Sequence, residues 1–126
     1  MTSDEQKPNS YKDLLVWQKG ILLVKEIYEL TRPFPADEKF GLVSQMRRAA
    51  VSIPSNIAEG QARHTTGEFI QFVSHAEGSL AELETQIIIS VELKYCTEDK
   101  AQTAVKLMAE LRKMLNGLRR ALSARR

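Results

Sequence analysis

The chain has 126 residues, 43% hydrophobic and 27% charged, with a formal net charge of +2, the balance of one water-soluble domain without room for a second core. Six glycines and four prolines are too few for a turn-rich β sandwich, and the longest apolar runs, Ile21–Val24 and Ile87–Ile89, fall far short of the ~20 residues that span a bilayer. The polar N-terminus MTSDEQKPNS lacks the apolar stretch of a secretory signal, and the lone Cys96 cannot form an internal disulfide, so a reducing cytoplasm is the expected compartment.

Residues 1–9 are expected to be a disordered leader, 10–122 a four-helix bundle and 123–126 a basic tail. Ser10 is the expected N-cap of the first helix, with Asp13 three residues on as a short variant of the capping box. Leu14, Trp17, Ile21, Val24 and Tyr28 then recur at helical spacing, flanked by a second stripe of Val16, Leu23, Ile27 and Leu30. Two adjacent apolar stripes imply cover from more than one side, as in a bundle. Pro33 and Pro35 end the helix, since neither donates an amide and each disfavours α geometry in the residue before it.

The second helix is expected just after Pro35, with Asp37 and Glu38 complementing its positive N-terminus. Phe40, Val43, Ala50 and Ile57 share one stripe, and Leu42, Met46, Ala49 and Ile53 lie beside it. Pro54 removes the bond to the Ala50 carbonyl, which predicts a kink over 50–54 before the helix continues to about Arg63. Gly60 and the run His64-Thr65-Thr66-Gly67 mark the turn. Thr65 or Thr66 can cap a third helix, in which Phe69, Phe72, Ala76, Leu80, Leu83, Ile87 and Val91 hold a seven-residue rhythm. Tyr95-Cys96-Thr97 closes it, and Thr97 caps a fourth helix with an acidic start at Glu98 and Asp99. Ala101, Ala104, Met108, Leu111, Leu115, Leu118 and Leu122 alternate there in steps of three and four. The expected fold is all-α: an antiparallel up-down-up-down four-helix bundle with its second helix kinked near Pro54.

No constellation suggests catalysis. Neither histidine carries the Glu-x-x-His spacing of a di-metal bundle: Gln61 precedes His64 by three residues, and Phe72 precedes His75. There is no HExxH, no cysteine pair and no phosphate-cradling glycine loop, so neither an enzyme nor a cofactor or metal is expected. Cys96 is read as an inert or merely accessible thiol. Trp17 and Phe40 are read as core or interface aromatics.

Two charged groups stand out. Arg47, Arg48, Asn56, Glu59, Glu77 and Glu84 form a candidate structural polar network. Glu77 and Glu84 lie seven residues apart on one helix face, where a semi-buried carboxylate needs a partner, and an arginine of the second helix is the obvious one. The second group follows from uneven charge. Between His64 and Asp99 a single base, Lys94, faces seven acids, whereas from Lys106 onward seven bases face only Glu110. Those bases are Lys106, Arg112, Lys113, Arg119, Arg120, Arg125 and Arg126. Arg112, Arg119 and Arg126 share one heptad phase and Lys106, Lys113 and Arg120 the neighbouring one, a stripe able to follow a phosphate backbone, face an acidic partner subunit or simply stay solvated. Without interleaved aromatics, base stacking is not indicated. Gly20 and Gly78 each weaken a helix interior by about 1 kcal/mol relative to alanine, which close helix approach within or between subunits would explain.

Specific strings carry a resemblance. Val16-Trp17-Gln18-Lys19, Tyr28-Glu29-Leu30-Thr31, Phe34-Pro35 and Glu38-Lys39-Phe40-Gly41-Leu42 come first in chain order. Gln45-Met46-Arg47-Arg48-Ala49-Ala50, the run from Ser52 to Gly60 (SIPSNIAEG) and Gly78-Ser79-Leu80-Ala81-Glu82-Leu83-Glu84 follow. Together they span about residues 14–90, and in this order the chain resembles the bacterial four-helix bundle proteins named for 23S rRNA intervening sequences. The resemblance implies a ring-like homopentamer. It also implies kinship with the accessory variability proteins of diversity-generating retroelements, basic pentamers that bind nucleic acid and a reverse transcriptase. No catalytic residue carries over. The expected function is a non-enzymatic homo-oligomeric scaffold or binding module that contacts RNA, DNA or a nucleoprotein partner weakly, with no membrane or small-molecule substrate. The alternative is a purely structural protein whose acidic and basic faces serve self-assembly.

Overall fold

The computed structural model describes Tyr11 and residues 14–125. The expected leader at 1–9, the Ser10 cap, Asp13 and Arg126 lie outside the described residues. Four helices, α1 (Leu15–Thr31), α2 (Leu42–Gln61), α3 (Thr66–Glu92) and α4 (Glu98–Ala124), are joined by short connections. The α1–α2 connection holds a 3-10 turn, Ala36–Glu38, and no strand occurs among the described residues. Each helix packs on the next and α4 closes on α1, while diagonal helices stay apart, so four apolar faces meet around one core. Neighbours run in opposite senses. Gly60 of α2 lies against Phe69 and Phe72 of α3, Ser52 bonds Ser79, and Met46 meets Ser90.

On α1 the seam that faces the core is Val16, Gly20, Leu23, Ile27 and Thr31. This is the flanking stripe of the sequence pattern. Of the stripe expected to lead, Trp17 and Val24 are half-buried and Ile21 and Tyr28 exposed. The reason lies at Gly20, where a Cβ would stand 3.3 Å from the Pro54 Cβ. Without that atom α1 settles onto α2 beside Pro54, and the seam centres on the glycine. Thr31 hides its polarity by donating its hydroxyl to the Ile27 carbonyl at 2.7 Å.

Helix α2 is helical without interruption from Leu42 through the buried Pro54 to Gln61. Phe40, expected on its core stripe, precedes the helix and is 90% exposed. The 3-10 turn and Gly41, with φ −107° and ψ −112°, break the helical register between Pro35 and Leu42, so the periodicity does not reach back to Phe40. Glu38 accepts the Leu42 amide at 3.0 Å and so caps the new start. Gly60, read as a turn marker, sits inside the helix and buried. A Cβ there would meet Phe69 Cδ1 at 2.8 Å and Phe72 Cβ at 2.9 Å. Gly78 faces open space, so close approach within the subunit does not explain it.

Helix α3 opens with a side-chain cap: the Thr65 hydroxyl accepts the Glu68 amide at 3.1 Å and donates to the Glu68 carboxylate at 2.9 Å. Val73, Ala76, Leu80, Leu83 and Ile87 are buried, while Phe69, Phe72 and Val91 are half-buried at its two ends. Lys94 (φ 64°) takes the left-handed position after the helix, letting the Tyr95 amide donate to the Ser90 carbonyl at 2.9 Å and the Lys94 amide to Val91 at 2.9 Å. Thr97 accepts the Lys100 amide at 3.1 Å and caps α4. Ala101, Ala104, Met108, Leu111, Leu115 and Leu122 are buried in α4, with Leu118 half-buried.

Candidate functional site

The expected pairing of Arg47 or Arg48 with Glu77 or Glu84 does not form. Glu77 and Glu84 face α4 instead. Arg119 donates to Glu77 at 2.9 Å and to Asn116 at 2.7 Å, and Arg112 pairs with Glu84. Seven residues separate the members on each helix, so the two pairs form a ladder along the antiparallel α3–α4 contact. The carboxylates retain about a quarter of their exposure (27% and 26%), which makes them clamped surface pairs and not buried charges.

The α2 residues have other partners. Arg47 donates to the Thr31 hydroxyl at 3.0 Å and the Tyr28 carbonyl at 3.4 Å, with its guanidinium 4.4 Å from the Tyr28 ring centroid. It places a cation where the last α1 carbonyls gather. Asn56 donates to the Ser52 carbonyl and hydroxyl, each at 2.8 Å, and the Ser52 hydroxyl bonds Ser79 at 2.8 Å. Glu59 reaches Arg63 at 3.9 Å. Arg48 is exposed beside Ser44, Ser52, Ser79 and Glu82 in a shallow α2–α3 cleft. The polar residues of α2 thus find partners on α1 for Arg47, at the end of their own helix for Glu59 and, through Ser52, on Ser79 of α3 for Asn56.

The basic stripe of α4 divides in two. Arg112 and Arg119 are tied to α3, whereas Lys106, Lys113, Arg120 and Arg125 are exposed without an ion pair. The free members Lys106, Lys113 and Arg120 are the second heptad phase, so one clean row of charge remains beside a neutralised one. On the other side Glu110 binds Lys19 of α1 at 2.6 Å.

Periodicity alone did not reveal the exposed apolar surface. Leu15 and Leu22 on α1, Ile88, Ile89 and Leu93 at the end of α3, and Val105 on α4 are all exposed. Ile87, Ile88, Val91, Ala101 and Val105 line a groove of about 710 Å³ between the end of α3 and the start of α4, rimmed by Glu92, Glu98, Asp99 and Lys106. In the α3–α4 connection Tyr95 donates its hydroxyl to Glu38 at 2.8 Å and packs its ring 5.5 Å from that of Phe34. The Leu42 amide and then the Tyr95 hydroxyl hold the Glu38 carboxyl below its usual range, and the bond to Glu38 pushes the Tyr95 phenol up.

Chemistry-bearing residues are scattered. His64 and His75 are both exposed, with His75 edge-on to Phe72 at 5.8 Å. Burial pushes the Cys96 thiol up, away from the reactive thiolate. Among the described residues no group of three or more His, Cys, Asp or Glu could hold a metal ion, and no helix is long and apolar enough to cross a membrane.

These surfaces define a four-helix bundle whose distinctive features are charge rows and exposed apolar faces. A family model described as "23S rRNA-intervening sequence protein" matches residues 12–117. The chain belongs to that family. A search of curated proteins finds no match.

Proposed function

We propose that this protein is a non-enzymatic scaffold that assembles with copies of itself, in the ring of five that the resemblance implies. The observation that carries this reading is the set of large apolar side chains left uncovered by a completed core: Leu15, Leu22, Phe40, Ile88, Leu93 and Val105. Their burial between copies supplies the dominant favourable term in association. Sedimentation equilibrium on the purified chain should give a mass near five times 14.3 kDa. A clean monomer at micromolar concentration would sink the proposal.

A second reading adds a nucleic-acid contact, favoured by the unpaired row Lys106, Lys113 and Arg120 with Arg125 beyond it. Repeated around an assembly, such a row multiplies weak phosphate contacts. Binding to structured RNA should then be sequence-tolerant and fall steeply with salt. A Lys106, Lys113, Arg120 triple-alanine variant should lose it, while Arg112→Ala should change it little. Equal affinities for wild type and the triple variant would assign the row to solubility alone.

A further inference from the structure

We infer that the α2–α3 cleft binds a small zwitterion, an α-amino acid, with its carboxylate on Arg48 and its ammonium on Glu82 and Gln86. This site goes beyond the self-assembly reading and does not depend on it. The cleft measures about 670 Å³, within the ~300–1,000 Å³ of small-molecule sites. The sequence pattern predicts no small-molecule ligand, because the donors lie on α2 and the acceptors on α3, and only the fold sets them face to face.

The acceptors come from one side of α3. Ser79 bonds Ser52 of α2 at 2.8 Å, and the Ser90 hydroxyl lies 3.4 Å from the sulfur of Met46, also on α2. Glu82 and Gln86 fall between them at helical steps of three and four, so all four residues face α2. Glu82 lines the cleft, and its carboxylate has no partner among the described residues. Gln86 is only 5% exposed, and its buried Oε1 accepts no hydrogen bond among the described residues. Buried carbonyl groups are nearly always paired, because an unpaired one keeps its full desolvation cost. An ammonium, with three donors on one atom, can serve a carboxylate and an amide oxygen one turn apart.

The donors come from α2. The Arg48 guanidinium lines the same cleft and forms no ion pair among the described residues, not even with Glu82. One turn on, the Ser52 hydroxyl accepts from Asn56 at 2.8 Å and bonds the Ser79 hydroxyl. Two hydroxyls hold two protons and their mutual bond uses one, so one donor is left on the cleft wall. A carboxylate can take both that proton and a guanidinium N–H. With the adjoining 3-10 turn counted, Lys39 and Arg48 face Asp37, Glu38 and Glu82. Two bases against three acids disfavour a simple anion and suit a ligand that carries both signs. Phe40, at the edge of the cleft, offers an apolar surface to the ligand's side chain.

Equilibrium dialysis of the full chain against radiolabelled L-leucine tests the site. Wild type should bind saturably. The two halves of the ligand, 4-methylpentanoate without the amine and 3-methylbutylamine without the carboxylate, should compete about tenfold more weakly or worse. Arg48→Ala, Glu82→Gln and Gln86→Leu should each weaken binding on the order of tenfold, with circular dichroism verifying that each variant folds. Gln86→Leu exchanges an unpaired polar group for an apolar one of similar size, so it should melt no lower than wild type while losing ligand. A glutamine with a purely structural role would not separate the two readouts. No saturable binding by wild type would overturn the site. Halves that compete as well as leucine, or Arg48→Ala and Glu82→Gln variants that bind like wild type, would overturn it equally. Undiminished binding by Gln86→Leu would overturn the two-acceptor ammonium position.

Discussion

The two ends of the bundle are finished by different means. At the α2–α3 turn the chain seals itself: Gly60 lets Phe69 and Phe72 approach to distances no Cβ would allow, and Arg63 covers the Phe72 ring at 4.6 Å. At the other end two connections are held by a polar latch, Tyr95 to Glu38, while Phe40, Ile88 and Leu93 stay in solvent. Close packing around Gly60 spends the phenylalanines of that turn inside the subunit. A latch fixes the loops and leaves Phe40, Ile88 and Leu93 as apolar surface that the proposed self-assembly could bury.

Truncation should break this contrast most visibly. Ile57, fully buried near the sealed end, should cost about 2–5 kcal/mol when replaced by alanine. Ile88→Ala at the open end should stay within ~0.5 kcal/mol for the dissociated chain, because its side chain is 64% exposed. Urea unfolding of both variants at low protein concentration measures the difference. Comparable losses would mean that the open end is as self-contained as the sealed one.

Glycine replacement sharpens it further. Gly60→Ala should destabilise by about 1–3 kcal/mol, since the new Cβ overlaps two phenylalanine side chains. Gly78→Ala, facing open space, should stabilise by ~0.5–1 kcal/mol through helix propensity alone. Thermal unfolding should therefore shift in opposite directions for the two. Removing one partner of the α3–α4 ladder, as in Glu77→Ala or Glu84→Ala, should lose no more than ~1 kcal/mol, because both pairs are reached by solvent.

The latch predicts the smallest effect, seen as pH dependence. The folded Glu38 carboxyl lies below its ordinary 4.5, so its contribution is present above that value and fades as pH falls through the lowered one. The Tyr95 phenol lies above its ordinary 10.0, so its contribution is complete below 10.0 and fades as pH rises through the raised value. In Tyr95→Phe the alkaline loss should vanish and the acid loss shrink in melting curves recorded across pH. Curves superimposable on wild type would show that the latch bears no load.

Much of the architecture was legible in the residues. The heptad rhythms of α3 and α4 and the caps at Thr65 and Thr97 follow from spacing and local hydrogen bonding, which the sequence carries directly. The α1 seam was displaced because its pivot is Gly20, a residue without a side chain to count, set by Pro54 on another helix. Phe40 was misplaced because a non-helical turn interrupts a periodic apolar pattern. The ion pairs were assigned to α2 because charge spacing names the face of a helix and leaves open which neighbour covers it. The α3–α4 groove has no signature in the chain, since its lining comes from two helices that only the fold brings together.

The central claim, that the open end is completed by another copy, is tested most directly by hydroxyl-radical footprinting of the wild-type chain across a dilution series. Phe40, 90% exposed in the single subunit, should be protected at micromolar concentration and become reactive as dilution releases monomers, with Ile88 and Val105 following the same curve. Phe40 reacting at every concentration as fast as an unprotected phenylalanine would contradict the account.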